Sequence, residues 1–272
     1  MFAFLSKVNY NKNMINLVKG FTIFGLEVKF YGIIMALSML IGILLACKLA
    51  PKRNLKSDDI FTLALIILPC AIIGARLFSV LGTEHNYTFW EVFKIWKGGM
   101  SIYGGIMGGA VGILIYCLIF KKDFLEVADI ACIALILGQA LGRWGNYFNQ
   151  EVYGKLVTDS SWQWFPFAVL LENGEWHYAL FFYESIINLA IFALLMLLIK
   201  NCNQKGYITA TYLVSYGTIR FLLEPLRMEE FNLKLFGLKL SSMASVVAIV
   251  AGITIFVLVY TKQKWRKKNE KE

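Results

Sequence analysis

The sequence predicts an all-α integral membrane protein, a polytopic bundle of about seven transmembrane helices with a small outward-facing cap. Of its 272 residues, 58% are hydrophobic and 17% are charged, whereas soluble domains have about 45–50% apolar and about 25% charged residues. The apolar residues fall into separate segments that charged or glycine-containing stretches divide. Lipid is therefore expected to be the solvent for most of the molecule.

Seven segments are long and apolar enough to cross a bilayer, since a spanning helix needs about 20 mostly apolar residues. They cover residues 31–50, 60–82, 100–120, 126–149, 179–199, 206–226 and 241–260. Because these spans use most of the length, we expect a single domain over residues 1–272. The sizeable connection at 150–178 is rich in Trp and polar residues and is predicted to be the cap. An aromatic stretch at 86–99 is expected to lie along the membrane interface.

The distribution of lysine and arginine predicts the orientation. Basic residues cluster after the first, third and fifth spans and in the tail at 262–272. The positive-inside rule places these loops and the C-terminus in the cytoplasm. The N-terminus, the 83–99 loop and the cap then face outward, on a side that also carries Lys7, Lys12, Lys19 and Lys29. The first 20 residues lack the apolar core and cleavage site of a signal peptide.

Charge and metal-binding residue types argue against two other classes of function. The net charge is +9, but the basic residues lie in short loops and in the tail, so we expect no nucleic-acid binding. All five cysteines are isolated in or beside apolar spans. Both histidines, His85 and His177, fall on outward loops, so we expect no metal site and no cofactor.

Ionisable side chains at membrane depth cost at least about 2.5–3.5 kcal/mol and are functional-site candidates by default. The segment GARLF (74–78) carries Arg76 near the outer end of the second span, where snorkelling to the interface explains it as well as function does. The segment GGMSIYGGIMGG (98–109) contains GxxxG patterns that allow close approach of another helix or a lipid chain. Among these glycines, the Tyr103 hydroxyl is available to position or deprotonate a substrate group.

The segment GQALGRWGNYFNQEVYG (138–154) ends the fourth span with an unusual number of polar residues. Arg143 and Asn146 are three residues apart and share a helix face. Glu151 follows where the helix ends. Arginine grips phosphate through two parallel hydrogen bonds, so this segment predicts a polar pocket for an anionic group at the membrane interface.

The segment YGTIRFLLEPLR (216–227) places a polar stripe on the sixth span. Its members are Tyr216, Arg220, Glu224 and Arg227. Spacings of four, four and three stack them along one face, which is expected to face the bundle interior. A purely structural Arg220–Glu224 pair is the alternative, and it leaves Arg227 and Arg143 unexplained. The pair Tyr183-Glu184 adds one more carboxylate near the outer side.

In these motifs the sequence resembles the prolipoprotein diacylglyceryl transferases of bacteria. The resemblance covers nearly the whole chain, in the order Tyr31-Gly32, 74–76, 98–105, 142–154, 183–184 and 216–227. That family transfers the diacylglyceryl group of phosphatidylglycerol to the lipobox cysteine thiol of a preprolipoprotein and releases glycerol 1-phosphate. The resemblance therefore implies a transferase of the bacterial cell membrane, whose partners are phosphatidylglycerol, lipobox-containing preprolipoproteins and the bilayer.

The resemblance also implies roles for individual residues. Arg143 matches the family's phosphatidylglycerol-binding arginine, and Arg220 matches its second essential arginine. Further matches to functional residues are Tyr31, Asn146, Glu151, Gly154, Tyr216 and Glu224. The chain departs from the family at Tyr103, where some members have His, and at Ser245, where a Gln is expected. We expect Arg76 and Arg227 to bind the lipid as well.

The expected reaction is displacement at the glycerol C3 carbon by the cysteine thiolate, with the phosphate as leaving group. Preorganised guanidinium groups of Arg143 and Arg220 would stabilise the charge that develops on the phosphate. The pKa of a free thiol is about 8.5, and the same positive field would lower this pKa and favour the thiolate. If a dedicated base exists, Tyr103 and Glu151 are the candidates.

Two other classes of protein remain as alternatives. An arginine-lined site inside the membrane would also serve a carrier or flippase for an anionic lipid, although the two halves of the sequence lack a matching pair of broken helices. A scaffold protein is the other alternative. Its interior has no reason to hold several arginines at a cost of a few kcal/mol each.

Overall fold

The computed structural model describes residues 19–23, 26–81, 101–228, 234–235 and 238–269. In these ranges the chain forms seven long helices: α1 Phe30–Leu49, α2 Ser57–Leu81, α3 Ile102–Phe120, α4 Phe124–Asn149, α5 Leu180–Asn201, α6 Tyr207–Leu223 and α7 Leu240–Asn269. Their order and positions follow the seven predicted spans. The predicted interfacial segment at 86–99 lies outside the described residues.

Six of the described helices are long and apolar enough to cross a membrane, by length and composition. The remaining helix, α6, has 17 residues and is too short to be counted among them. A 3₁₀ turn at Glu224–Leu226 continues it, so the whole segment coincides with the predicted span at 206–226. The prediction of an all-α polytopic membrane protein is confirmed.

In the part of the chain that the structure describes, short hairpins precede α1 and connect α4 to α5 and α6 to α7. Each pairs two antiparallel strands: β1 Gly20–Ile23 with β2 Leu26–Lys29, β3 Ala168–Leu170 with β4 Trp176–Tyr178, and β5 Lys234–Leu235 with β6 Leu238–Lys239. In the second hairpin, Val169 lies opposite His177. This hairpin and a 3₁₀ turn at Ser160–Trp162 belong to the segment predicted as the cap.

Two helix ends are stabilised locally, one by acidic side chains and one by a left-handed turn of the backbone. Asp58 and Asp59 lie in the first turn of α2, where carboxylates interact favourably with the helix dipole. The backbone leaves α3 through Lys121, whose φ is 51°, and the Lys121 N–H bonds the Cys117 carbonyl. A left-handed residue at this position gives one of the last helical carbonyls a partner.

The chain divides into two compact units, and it passes from one to the other within α1 and within α4. The first unit comprises the described residues of Met1–Gly42 and Cys132–Glu272, and the second comprises those of Ile43–Ala131. Each unit is described by itself below. The expectation of one domain over the whole chain stays a prediction.

In the second unit, α2 and α3 meet backbone to backbone at their glycines. A Cβ added to Gly104 would lie 2.2 Å from the carbonyl oxygen of Gly74, and one added to Gly108 would lie 2.2 Å from that of Cys70. Contacts this short exclude any side chain. The GxxxG spacing of α3 therefore serves close helix packing.

The second unit also buries a charged pair. Arg53 Nε donates to Asp129 Oδ2 at 2.8 Å, and both residues are almost fully buried. Asp59 accepts from Lys122 Nζ and from the Tyr116 hydroxyl, each at 2.9 Å. Buried charges are tolerated when they are paired and hydrogen-bonded. Arg53 is one of the basic residues that follow the first predicted span, where a loop exposed to water is expected, whereas the structure buries it against α4.

In the first unit, α5 turns a partly polar face inward. Glu184, Ser185 and Asn188 are buried on this helix together with its inward apolar residues. The Ser185 hydroxyl donates to the Ala140 carbonyl at 2.8 Å and accepts from Trp144 Nε1 at 3.2 Å. These bonds fix α5 against α4 one residue away from Glu184, and so position the charged side chains described next.

Candidate functional site

One buried carboxylate holds two guanidinium groups from different helices. Arg220 Nη1 on α6 donates to Glu184 Oε1 at 2.9 Å, and Arg143 Nη2 on α4 forms an ion pair with Glu184 Oε2. The side chain of Glu184 is 6% exposed, and those of Arg143 and Arg220 are 14% and 13% exposed. Charge-assisted hydrogen bonds are roughly twice as strong as neutral ones, so Glu184 joins α4, α5 and α6 at this level.

A second carboxylate extends the row of charges toward α7. Glu224 follows α6, and its Oε2 lies 3.8 Å from Arg220 Nη2. Its Oε1 accepts a hydrogen bond of 2.5 Å from the hydroxyl of Ser241, in the first turn of α7. Two positive and two negative side chains thus alternate along this row, which compensates part of the cost of burying each charge.

The polar end of α4 forms a connected group beside Arg143. Arg143 Nη1 lies 3.5 Å from Asn146 Oδ1, and Asn146 Nδ2 donates to Glu151 Oε1 at 3.1 Å. The chain reverses here because Gln150 has a φ of 52°. The Glu151 N–H then bonds the Asn146 carbonyl at 3.1 Å. The structure therefore brings together Arg143, Asn146 and Glu151, as the sequence predicts.

Gly154 ties the cap to the end of α6. It forms an isolated antiparallel bridge with Arg227, and the N–H of Lys155 bonds the Leu226 carbonyl at 2.8 Å. A Cβ on Gly154 would lie 2.6 Å from the Cβ of Tyr178 and 3.0 Å from the Leu226 oxygen. Only glycine fits at this junction.

Arg227 is buried at the same junction, with 7% of its surface exposed. Among the described residues, its Nε has no hydrogen-bond partner. A buried guanidinium nitrogen that lacks a partner loses solvation without compensation. Arg227 therefore differs from Arg143 and Arg220, which are both held by Glu184.

Two tyrosines predicted from the sequence line the first unit near these groups. The ring of Tyr31, in the first turn of α1, lies against Gly145, where an added Cβ would be 2.8 Å from Tyr31 Cδ2. Tyr216 lies one turn from Arg220 on α6 and stacks on Tyr212, with ring centroids 5.6 Å apart. Both tyrosines belong to the same unit as the arginine pair.

The remaining two predicted residues lie in the second unit. Arg76 is buried on α2, so it does not extend freely into solvent. Tyr103 lies in the first turn of α3, with its ring centroid 6.4 Å from that of Phe78. Their roles in the site stay predictions.

The structure gives Glu184 and Ser241 places in the site that the sequence analysis did not assign to them. The sequence alone marks Glu184 as a candidate, because a carboxylate inside an apolar span is costly without partners. Its position between two arginines could not be predicted from the sequence, because the three residues lie on separate helices. For Ser241 the sequence offers no comparable signal, since serine is common in membrane helices and at helix starts.

Fold and site together define a class of protein, a multi-pass α-helical membrane protein with a buried arginine–carboxylate cluster where α4, α5 and α6 meet. A sequence model described as prolipoprotein diacylglyceryl transferase matches residues 19–258. The chain belongs to this family, as the resemblance of its motifs predicts.

Curated relatives agree over nearly their full lengths. Phosphatidylglycerol–prolipoprotein diacylglyceryl transferase 1 of Clostridium perfringens is 38% identical over 254 residues, which is 91% of this chain and 96% of the relative. The transferase of the same name, without the numeral, from Clostridioides difficile is 33% identical, over 90% of this chain and 96% of the relative. That from Streptococcus pneumoniae (strain Hungary19A-6) is 36% identical, over 88% and 92%.

Proposed function

We propose that the chain transfers the diacylglyceryl group of phosphatidylglycerol to a prolipoprotein, the reaction for which its relatives are named. Family membership makes it a membrane-bound transferase. The observation that carries the proposal is the meeting of Arg143 and Arg220 at one buried carboxylate. Two guanidinium groups held together in a site with little water suit a phosphodiester substrate.

We assign the acceptor as the thiol of the lipobox cysteine of the prolipoprotein. The sulfur of the thiolate forms a bond to C3 of the lipid glycerol, and the bond between C3 and the phosphate oxygen breaks. The electron pair of that bond stays on the oxygen, so the products are a thioether and glycerol 1-phosphate. The proton of the thiol passes to a base, for which Tyr103 and Glu151 are the proposed groups.

Arg143 and Arg220 are proposed to stabilise the leaving phosphate. Negative charge increases on that group as the C–O bond breaks, and positive groups already in place lower the barrier without reorganisation at that moment. Glu184 supports this role because it fixes both guanidinium groups from one point. It counts as a positioning residue, since it acts through the arginines.

We propose that the remaining predicted residues also bind the lipid. They are Tyr31, Arg76, Asn146, Gly154, Tyr216, Glu224 and Arg227. Arg227 has a specific observation in its favour, because its buried Nε has no partner among the described residues and lies at the junction with Gly154. An oxygen of the lipid headgroup would supply the missing acceptor.

The proposed setting is the bacterial cell membrane, with the cap at 150–178 outside the cell and the C-terminus in the cytoplasm. The alternation of basic loops supports this orientation. Nucleic acid is not a proposed partner, since the basic residues lie in loops and in the tail.

The test is incubation of detergent-purified protein with phosphatidylglycerol and a lipobox peptide, followed by mass analysis of peptide and lipid products. We expect a diacylglyceryl adduct on the peptide together with glycerol 1-phosphate. A peptide with Ser in place of the cysteine, and phosphatidylcholine in place of phosphatidylglycerol, are the matched controls and should give no adduct. Unmodified peptide in the complete mixture would overturn the proposal.

The same experiment separates a transferase from the two alternatives, because it contains no sealed membrane, and a vesicle assay separates the alternatives from each other. A carrier or flippase would leave the peptide unmodified, yet would move phosphatidylglycerol between the leaflets of vesicles. A scaffold protein would do neither.

A further inference from the structure

Three large aromatic side chains of the cap are about half exposed. Trp162, Trp164 and Phe165 have exposed fractions of 48%, 51% and 51%. They are neighbours in sequence, at the end of the 3₁₀ turn that Asp159 caps. Contiguous exposed apolar side chains of this size mark an interaction surface. We call these three residues the aromatic cluster.

The aromatic cluster rests on a well-packed base. The ring centroids of Trp162 and Trp164 each lie 4.8 Å from that of Phe167, in edge-on contacts. The Phe167 carbonyl in turn accepts a hydrogen bond from the Tyr183 hydroxyl on α5. Trp164 Nε1 donates to the Ser161 carbonyl at 3.0 Å, so its polar atom is satisfied inside the cap.

The aromatic cluster is continuous with the outer face of a membrane span. Phe165 makes an edge-on contact of 4.9 Å with Phe182 in the first turn of α5. Four and seven residues further along α5, Ile186 and Leu189 are exposed and apolar, and this spacing places them on the face of Phe182. Exposed apolar side chains on a spanning helix face the hydrocarbon, since lipid is the solvent there.

We propose that the aromatic cluster inserts into the headgroup and glycerol region of the bilayer and anchors the cap there. Trp is enriched at membrane–water interfaces because its ring is apolar and carries one polar atom. The cluster lies where the lipid-facing stripe of α5 ends, and the exposed charged residues Lys155 and Asp159 precede it in sequence. The bilayer interface is thus the proposed partner, without preference for a headgroup.

The anchor goes beyond the transfer reaction, because it concerns how the cap is held and requires no turnover. Gly154 and Arg227 join the cap to α6. A cap held in the interface would therefore keep this junction at the depth where lipid headgroups lie. A protein partner and a second copy of the chain are the competing occupants of the cluster.

The experiment uses wild-type protein labelled with 5-fluorotryptophan, in nanodiscs of phosphatidylcholine, which is not the proposed substrate. Phe substitutions at Trp162 and Trp164 assign the two ¹⁹F signals and keep an aromatic ring at each site. We expect both signals to lose intensity when the nanodiscs carry lipid with a nitroxide near the headgroup. A water-soluble gadolinium chelate should affect them much less.

Any other pattern overturns the anchor. Signals lost to the gadolinium chelate and unaffected by the nitroxide lipid would show a cluster in water, free for a protein partner. Signals lost to neither reagent, in particles with the mass of two chains, would show a cluster covered by a second copy. Because activity is not measured, failure of the anchor and failure of the transfer reaction are distinguishable.

Discussion

The Ser241 hydroxyl donates a hydrogen bond of 2.5 Å to Oε1 of Glu224, and both residues are buried. The bond fixes the carboxylate that faces Arg220. We expect Ser241→Ala to lower kcat for peptide modification roughly tenfold or more, because a hydrogen bond to a charged group contributes about 1.5–3 kcal/mol. Ser241→Thr keeps the hydroxyl and should restore most of the rate.

Ser245→Ala is the matched control for that prediction. Among the described residues its hydroxyl bonds the Ser241 carbonyl alone, at 2.8 Å in the same helix, so its removal costs some stability and leaves Glu224 in place. Equal losses of kcat in the two alanine variants would contradict a positioning role for Ser241.

Substitution of Arg143 or Arg220 by Lys separates the effect of geometry from that of charge. Lysine keeps the charge but cannot hold two oxygens with a planar fork. We expect each Lys variant to be slower by roughly ten- to a hundredfold, since each 1.36 kcal/mol of lost stabilisation is about tenfold in rate. Alanine should be worse at both positions. Steady-state kinetics with phosphatidylglycerol and a lipobox peptide measure the effect.

The kinetic constant that changes in the Lys variants distinguishes two roles of the arginines. A loss in kcat shows action on the developing phosphate charge, whereas a loss in KM alone shows headgroup binding. Near-wild-type kinetics in both Lys variants, with unchanged size-exclusion profiles, would rule out the arginine pair as a phosphate clamp.

Glu184→Gln tests whether one carboxylate organises both arginines. The amide keeps the shape and one acceptor oxygen but removes the negative charge between two guanidinium groups. We expect a lower kcat by roughly tenfold and a lower melting temperature, because breaking a buried pair costs about 3–5 kcal/mol. A variant that melts earlier at unchanged kcat would limit Glu184 to stability.

Gly154→Ala tests the junction between the cap and α6. The added methyl would lie 2.6 Å from the Cβ of Tyr178, and overpacking of this kind typically costs about 1–3 kcal/mol. We expect reduced thermal stability and reduced activity. Gly138→Ala on α4 is the control, since no atom of a neighbouring described residue lies within 4 Å of its added Cβ, and helix propensity favours Ala by about 0.8–1.0 kcal/mol.

Orientation is measurable with single cysteines in a variant that lacks the five native ones. This background should remain active, because the proposed nucleophile belongs to the peptide. A cysteine at Asn173, exposed in the β3–β4 turn, should react with an impermeant thiol reagent outside intact cells, and one at Asn269 should not. The reverse labelling pattern would invert the orientation.

Periodicity and charge predict most of the fold, because lipid imposes strict rules on the chain. A spanning segment must satisfy its backbone internally and must be about 20 residues long, so each of the seven predicted spans has its helix. The burial of Arg53 was not predictable, because Arg53 falls in the basic loop after the first predicted span and the sequence does not show that it meets Asp129 of the fourth span.

Spacing within one helix also predicted part of the site. Arg143 and Asn146 share a face, as do Arg220 and Glu224, and the structure places each pair in contact. Relations between helices were out of reach, because sequence spacing carries no information on which faces meet. Glu184 is the example, since its two partners lie 41 and 36 positions away along the chain.

The backbone contact between α2 and α3 has a consequence for lipid traffic. At Gly104 and Gly108 there is no space for a single methyl group, and an acyl chain is a row of methylene groups of similar width. This seam is therefore closed to hydrocarbon, as interiors packed at crystal-like density are. A diacylglyceryl group must enter and leave the protein along some other side.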